Sequence, residues 1–172
     1  APTWLAGFSN IWRAAHKALF ECKKPIIGAL ESYAINGGAA LALACDLLIA
    51  GKSSFLQVGE VQIGMAAPYN MAWLSLRHSE QTMAEVALLG DRISGTELKK
   101  MELALQAVDD SEVLAVARSL AARLSEYPEG GLMRIKAGLR ARLEDDADAW
   151  FDRFTQRDPV GKSPKPSSMK GR

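Results

Sequence analysis

An α/β fold is predicted by three features of this 172-residue sequence. The run Ile26-Ile27-Gly28-Ala29-Leu30 is short, apolar and β-branched enough for a buried strand. After Asn36-Gly37-Gly38, the segment Ala39 to Ala44 is apolar on every side, so a helix there has to be buried. Asp46 ends that helix, and Leu47-Leu48-Ile49-Ala50 reads as a second strand. Strand, glycine turn, helix and strand together make a crossover unit.

The flanking elements follow in order. Trp4, Phe8, Ile11, Trp12, Ala15 and Leu19 fall at helical spacing, with His16 on the exposed side, and Lys23-Lys24-Pro25 stops that helix. Phe55 to Ile63 is extended or looped, and Gly64 to Pro68 is a turn. Met71 to Leu76 begins a helix that reaches His78, and Glu80 to Leu89 forms another, closed by Gly90. Ser94 and Glu97 have capping-box spacing and open a helix to about Leu105. Ala107-Val108-Asp109 is a short extended piece, and Ser111 caps a helix with the stripe Val113, Val116, Ala117, Leu120 and Leu124. Pro128 to Gly131 breaks it. The next helix shows Leu132, Ile135, Leu139 and Leu143 on one face, opposite Arg134, Lys136, Arg140 and Arg142. Asp145 or Asp146 caps a last helix carrying Ala147, Trp150, Phe151 and Phe154. Residues 1–106 thus read as an α/β core, 107–158 as a helical region, and 159–172, rich in Pro, Ser, Gly and Lys, as a disordered tail. Only two strands are evident, and two strands cannot make a stable sheet alone. Part of the fold is therefore expected to precede Ala1.

Composition narrows the function classes. A formal net charge of +1 offers no electrostatic footprint for nucleic acid or membrane. Cys22 and Cys45 lack metal-ligand spacing and read as free buried thiols of a reducing compartment. His16 and His78 are too few for a zinc cluster. With no membrane-length apolar run and no signal peptide at Ala1, the expectation is an intracellular protein, cytoplasmic first, with mitochondrial and peroxisomal locations left open.

Chemistry concentrates between Pro25 and Pro68. A helix that starts at Gly37-Gly38 points free N–H groups and a partial positive charge outward, which suits an anion. Glu60 follows in apolar surroundings, and a working base there needs a pKa raised by apolar neighbours such as Val58, Ile63 and Met65. The plainer readings are a tight glycine turn and a solvated loop carboxylate. Asp46 reads as structural.

The ordered segments KPIIGALESYAINGGAALALACDLLIA, GEVQIGMAAP and LLGDRISGTEL resemble the crotonase superfamily of enoyl-CoA hydratases and isomerases. The resemblance covers roughly Lys23 to Leu98, more weakly the C-terminal helices. It implies a spiral of ββα units, here the C-terminal part of the domain without its first strands, and a helical C-terminal region used for trimerisation. It also implies an acyl-CoA thioester as ligand, with no cofactor beyond the coenzyme A of the substrate, and no metal. The expected assembly is a homotrimer or dimer of trimers, completed by an N-terminal portion or a complementary chain.

By the same resemblance Gly37 supplies one of two N–H groups that hold the thioester oxygen. The second comes from an Ala/Gly-rich segment that this sequence lacks. Gly38, Ala40, Met65 and Pro68 would line the acyl site, and Phe154 and Lys162 of the C-terminal region would reach a neighbouring subunit's site. Hydratases carry a glutamate where Ala40 stands, whereas Glu60 matches the family's second glutamate. One carboxylate kept and one lost is the pattern of 3-enoyl to 2-enoyl-CoA isomerases. A non-catalytic acyl-CoA binder is the alternative, and a hydratase using Glu31 ranks last.

Overall fold

The computed structural model describes residues 6–156. Trp4, Lys162 and the tail 159–172 lie outside the described residues. The chain runs through helix α1 (Phe8–Glu21), strands β1 (Ile27–Leu30) and β2 (Tyr33–Ile35), and helix α2 (Gly37–Ala44). Strands β3 (Leu47–Gly51) and β4 (Phe55–Gln57) follow, then a 3-10 turn (Glu60–Ile63) and helices α3 (Pro68–Ser75) and α4 (Glu80–Leu89). The remainder is β5 (Arg92–Ser94), α5 (Gly95–Lys100), β6 (Gln106–Val108), α6 (Val113–Ser125), α7 (Gly131–Arg140) and α8 (Ala147–Thr155). No described helix is long and apolar enough to cross a membrane.

The strands form two three-stranded sheets, ordered β1-β3-β6 and β2-β4-β5. All pairings are parallel except β4 with β5. Each strand–strand–helix passage therefore gives one strand to either sheet, the ββα repeat that the resemblance implies. The sequence revealed the strands of the first sheet that are four and five residues long. The three-residue strands β2, β4 and β5 are too short for alternation to register.

One core cluster joins α2 (Ala39, Ala40), β4 (Leu56), α3 (Trp73, Leu74) and α8 (Trp150, Phe151). In a second, Val113, Ala117 and Leu120 of α6 cover Ile49 of β3, the stripe predicted from spacing. The capping box at Ser94 and Glu97 forms, and Asp146 caps α8.

Several expectations are corrected. Helix α5 ends at Lys100 instead of Leu105, because Glu102 turns to φ 62° and the Leu105 N–H pairs with the Leu48 carbonyl at 2.8 Å. Ser111 does not cap α6; it lies in a 3-10 turn over Asp110–Glu112, whose Asp110 carboxylate binds Ser53. Cys22 and Cys45 are free but only half-buried. His16 is fully buried, because α1 packs Trp12, His16 and Phe20 against α3 and α8.

The largest correction concerns α7. Its apolar residues Ile135 and Leu139 are 65% and 60% exposed, whereas Lys136 is buried. Asp46 explains the inversion. Its Oδ2 accepts from Lys136 Nζ at 2.7 Å and from the Ile26 N–H at 2.8 Å, while its Oδ1 lies 3.2 Å from Arg77 and 3.8 Å from Arg140. Lys136 and Arg140 share a helix face at i, i+4, so satisfying Asp46 turns Ile135 and Leu139 outward. Asp46 is structural, as read. Burial pushes its pKa up, but Lys136, the Ile26 N–H and Arg77 outweigh that and hold it below the ordinary value.

Candidate active site

The site grows from the carboxyl ends of two adjacent parallel strands. Ile35 of β2 is in register with Gln57 of β4. One residue on, the Asn36 N–H donates to the Gln57 carbonyl at 2.8 Å, and Asn36 Oδ1 accepts from the Gly59 N–H at 2.8 Å. Asn36 takes φ 51°, a left-handed value that asparagine tolerates better than most residues. With its side chain engaged by Gly59, Asn36 does not cap α2. The first amides of that helix, at Gly37 and Gly38, therefore keep no acceptor within the helix and sit at its positive end.

Beyond β4 the chain enters the 3-10 turn that starts with Glu60 and closes at Gly64, φ 69°. Pro68 then opens α3, a position where its missing N–H costs nothing. Asn70, on the first turn of α3, is 1% exposed. Its Nδ2 donates to Glu60 Oε1 at 2.8 Å and to the Asn36 carbonyl at 3.1 Å.

These pieces enclose a cavity of about 600 Å3. Gly37, Gly38, Ala40, Glu60, Met65 and Pro68 all line it, so six of the seven predicted site residues meet in one place. The seventh, Phe154, packs elsewhere, its ring 5.5 Å from that of Trp150. The cavity wall is completed by Asn36 and Asn70 and by the aromatic rings of Phe8, Trp12 and Tyr69. Spacing had pointed to none of these as site residues. The available signal for Asn70 was a lone amide in the otherwise apolar run Pro68-Tyr69-Asn70-Met71-Ala72-Trp73-Leu74.

Burial pushes the Glu60 pKa up; its own N–H and Asn70 pull it back only in part. Glu60 Oε2 is buried with no hydrogen-bond partner among the described residues. The environment is thus a carboxyl group that holds its proton more tightly than usual, facing a helix start that favours negative charge. Ala40 brings no second carboxylate. Glu31 is exposed and does not line the cavity, so it cannot stand in for one. Of the basic residues on and after α7, Lys136 and Arg140 are tied to Asp46, and Arg142 donates to the Leu76 carbonyl.

The comparisons bear on this arrangement. The family description "Enoyl-CoA hydratase/isomerase" matches residues 6–156. The chain is 28% identical over 138 residues to a probable mitochondrial enoyl-CoA hydratase of Dictyostelium discoideum, covering 80% of this chain and 50% of that protein. It is 29% identical over 153 residues to the 1,2-epoxyphenylacetyl-CoA isomerase of Escherichia coli, covering 88% and 58%. A solved enoyl-CoA hydratase/isomerase from Mycobacterium paratuberculosis superposes with a TM-score of 0.74 at 26% identity, over 83% of this chain and 57% of that one. The chain spans about half the length of the curated relatives it matches. Because the match runs from α1 to α8 and takes in both sides of the cavity, the chain belongs to the enoyl-CoA hydratase/isomerase family.

Proposed function

We propose that the cavity binds the acyl end of an unsaturated acyl-CoA thioester and moves its double bond through an enolate. Glu60 takes a proton from the α-carbon of a 3-enoyl thioester. The electron pair spreads over the carbonyl and the double bond, and the charge rests on the thioester oxygen. The Gly37 N–H, at the positive end of α2, stabilises that oxygen only while it is charged. Glu60 then returns the proton at the γ-carbon, giving the 2-enoyl thioester with no net change in protons or electrons. In well-studied cases one such donor is worth about 2.7–4 kcal/mol of barrier.

The observation that carries this reading is the convergence of the α2 amides and the Glu60 carboxyl, its pKa raised by burial, on one cavity. A single carboxylate suits shuttling one proton between two carbons. Ala40, where hydratases carry their second, argues against water activation. Two further assignments rest on family likeness. The exposed Ile135 and Leu139 of α7 offer an apolar face for a homotrimer or dimer of trimers, and Phe154 would serve a neighbouring subunit's site.

The test is a 3-enoyl-CoA substrate in deuterated water. The expected result is conversion to the 2-enoyl thioester, with deuterium entering the α- and γ-carbons when protonated Glu60 exchanges with solvent before donating, and both abolished by Glu60→Gln while binding is retained. Isomerisation persisting in Glu60→Gln would overturn the role of Glu60. The alternative, binding without turnover, is favoured by the single remaining carboxylate. It predicts tight acyl-CoA binding with no deuterium incorporation in the unsubstituted chain.

A further inference from the structure

Asn70 is a buried amide on an otherwise apolar helix turn. Such a group is costly to bury unless its hydrogen bonds are met. Its Nδ2 carries two hydrogens and meets two acceptors, Glu60 Oε1 at 2.8 Å and the Asn36 carbonyl at 3.1 Å, while Oδ1 is buried with no partner among the described residues. That pair of acceptors fixes the orientation of the amide, since the reversed one would set Oδ1 against two oxygens. We propose that Asn70 is the positioning residue of this site, holding the Glu60 carboxylate with one amide proton and the turn before Gly37 with the other. The proposal rests on the reading of Glu60 as the proton carrier.

Two consequences follow from the geometry. Asn36 immediately precedes Gly37, so one amide joins the group that moves the proton to the backbone that presents the oxyanion donor. Asn70 is also the one side chain that donates to the Glu60 carboxylate among the described residues. Among the described residues, the surrounding elements bring no competing charge. Tyr69 is the other titratable residue lining the cavity. His16, on α1, bonds Trp73, away from Glu60. On α4, which packs against the 3-10 turn, Glu80 is exposed and Glu85 faces a different cavity, with Arg92 and Lys100.

The experiment has two independent readouts on Asn70→Ala and the near-isosteric Asn70→Asp. The first is a 13C NMR titration of the Glu60 carboxyl. Losing a donor to a charged group is expected to move its midpoint up by about one to two pH units in Asn70→Ala. Asn70→Asp, which substitutes an acceptor, is expected to move it at least as far. The second is the pH profile of α-proton exchange on the acyl-CoA. Its acid limb should move by the same amount, with a roughly ten- to hundredfold loss in turnover below the new midpoint and little change in KM. A Glu60 midpoint unmoved in both folded variants would overturn the proposal. Should exchange survive Glu60→Gln, the reading of the reaction fails, but the titration still tests the hold of Asn70 on Glu60.

Discussion

The imidazole of His16 accepts, at Nδ1, a hydrogen bond of 2.8 Å from the indole N–H of Trp73. An acceptor at Nδ1 requires the neutral ring with its proton on Nε2, and that nitrogen is buried without a partner among the described residues. The ring stacks on Tyr69 at 4.4 Å. Burial pushes the His16 pKa down to about 4, below the ordinary 6.5. Above pH 6.5 both folded and unfolded chains hold His16 neutral, and its contribution to stability is complete. As the pH falls, the unfolded chain takes up the proton first. Stability is expected to drop by about 3 kcal/mol between pH 6.5 and 4. Urea unfolding across that range measures it, and His16→Gln should remove that part of the pH dependence.

Asp46 anchors the start of β1, the end of α3 and the inner face of α7 at once. Asp46→Asn leaves Lys136, Arg77 and Arg140 converging without a counter-charge, and breaking such a pair costs about 3–5 kcal/mol. Because its folded pKa lies below the ordinary value, this stabilisation is present above the unfolded pKa and is lost as pH falls through the folded one. Thermal unfolding of Asp46→Asn against the unsubstituted chain at pH 7 gives the comparison. Lys136→Met should cost less, since two cations still face the carboxylate.

A pH profile follows from Glu60. With its pKa raised above the ordinary 4.5 by burial, proton abstraction should be weak on the acid side and rise with pH as the carboxylate forms. The midpoint of kcat/KM is expected above that of a solvated glutamate, and Met65→Gln, which brings polarity to the cavity wall, should lower it.

Glycines offer a contrast in sign. A methyl group on Gly95 would stand 1.9 Å from the Gly51 carbonyl oxygen, a backbone atom that cannot step aside. Gly95→Ala is therefore expected to cost about 3 kcal/mol, the upper end for overpacking. Gly138, inside α7, has nothing within 4 Å of such a methyl, so Gly138→Ala should stabilise by about 0.5–1 kcal/mol. Denaturant midpoints of the two variants check both.

How far the sequence reaches is best judged by particular residues. The apolar run to Leu30, the Gly37-Gly38 helix start and the Ser94–Glu97 cap are local patterns, and the structure keeps them. The six proposed positions that meet in one cavity came from the family resemblance, since the β2–β4 pairing that brings Gly37 to Glu60 is not a local pattern. Ile135 and Leu139 show where periodicity fails. Their stripe is regular, yet the helix is turned by a carboxylate ninety residues earlier in the chain, and a distant charge leaves no mark on local spacing. His16 fails likewise, because its partner Trp73 lies on another helix. Asn70 was hidden by its neighbours, whose apolar character made that turn read as core.

Asn36 and Glu60 both issue from the register pair Ile35 and Gln57, and this gives the site a ruler. Neighbouring strands sit about 4.8 Å apart whatever their side chains. The spacing between the turn that offers an amide and the turn that offers a carboxylate is thus inherited from backbone hydrogen bonds. Side-chain swaps in the core would blur that spacing slightly. A single residue inserted in or deleted from β2 or β4 would shift it by a whole step and turn one group away from the other. Apolar side chains around such a site can be exchanged at small cost, but its strand lengths are not free to change.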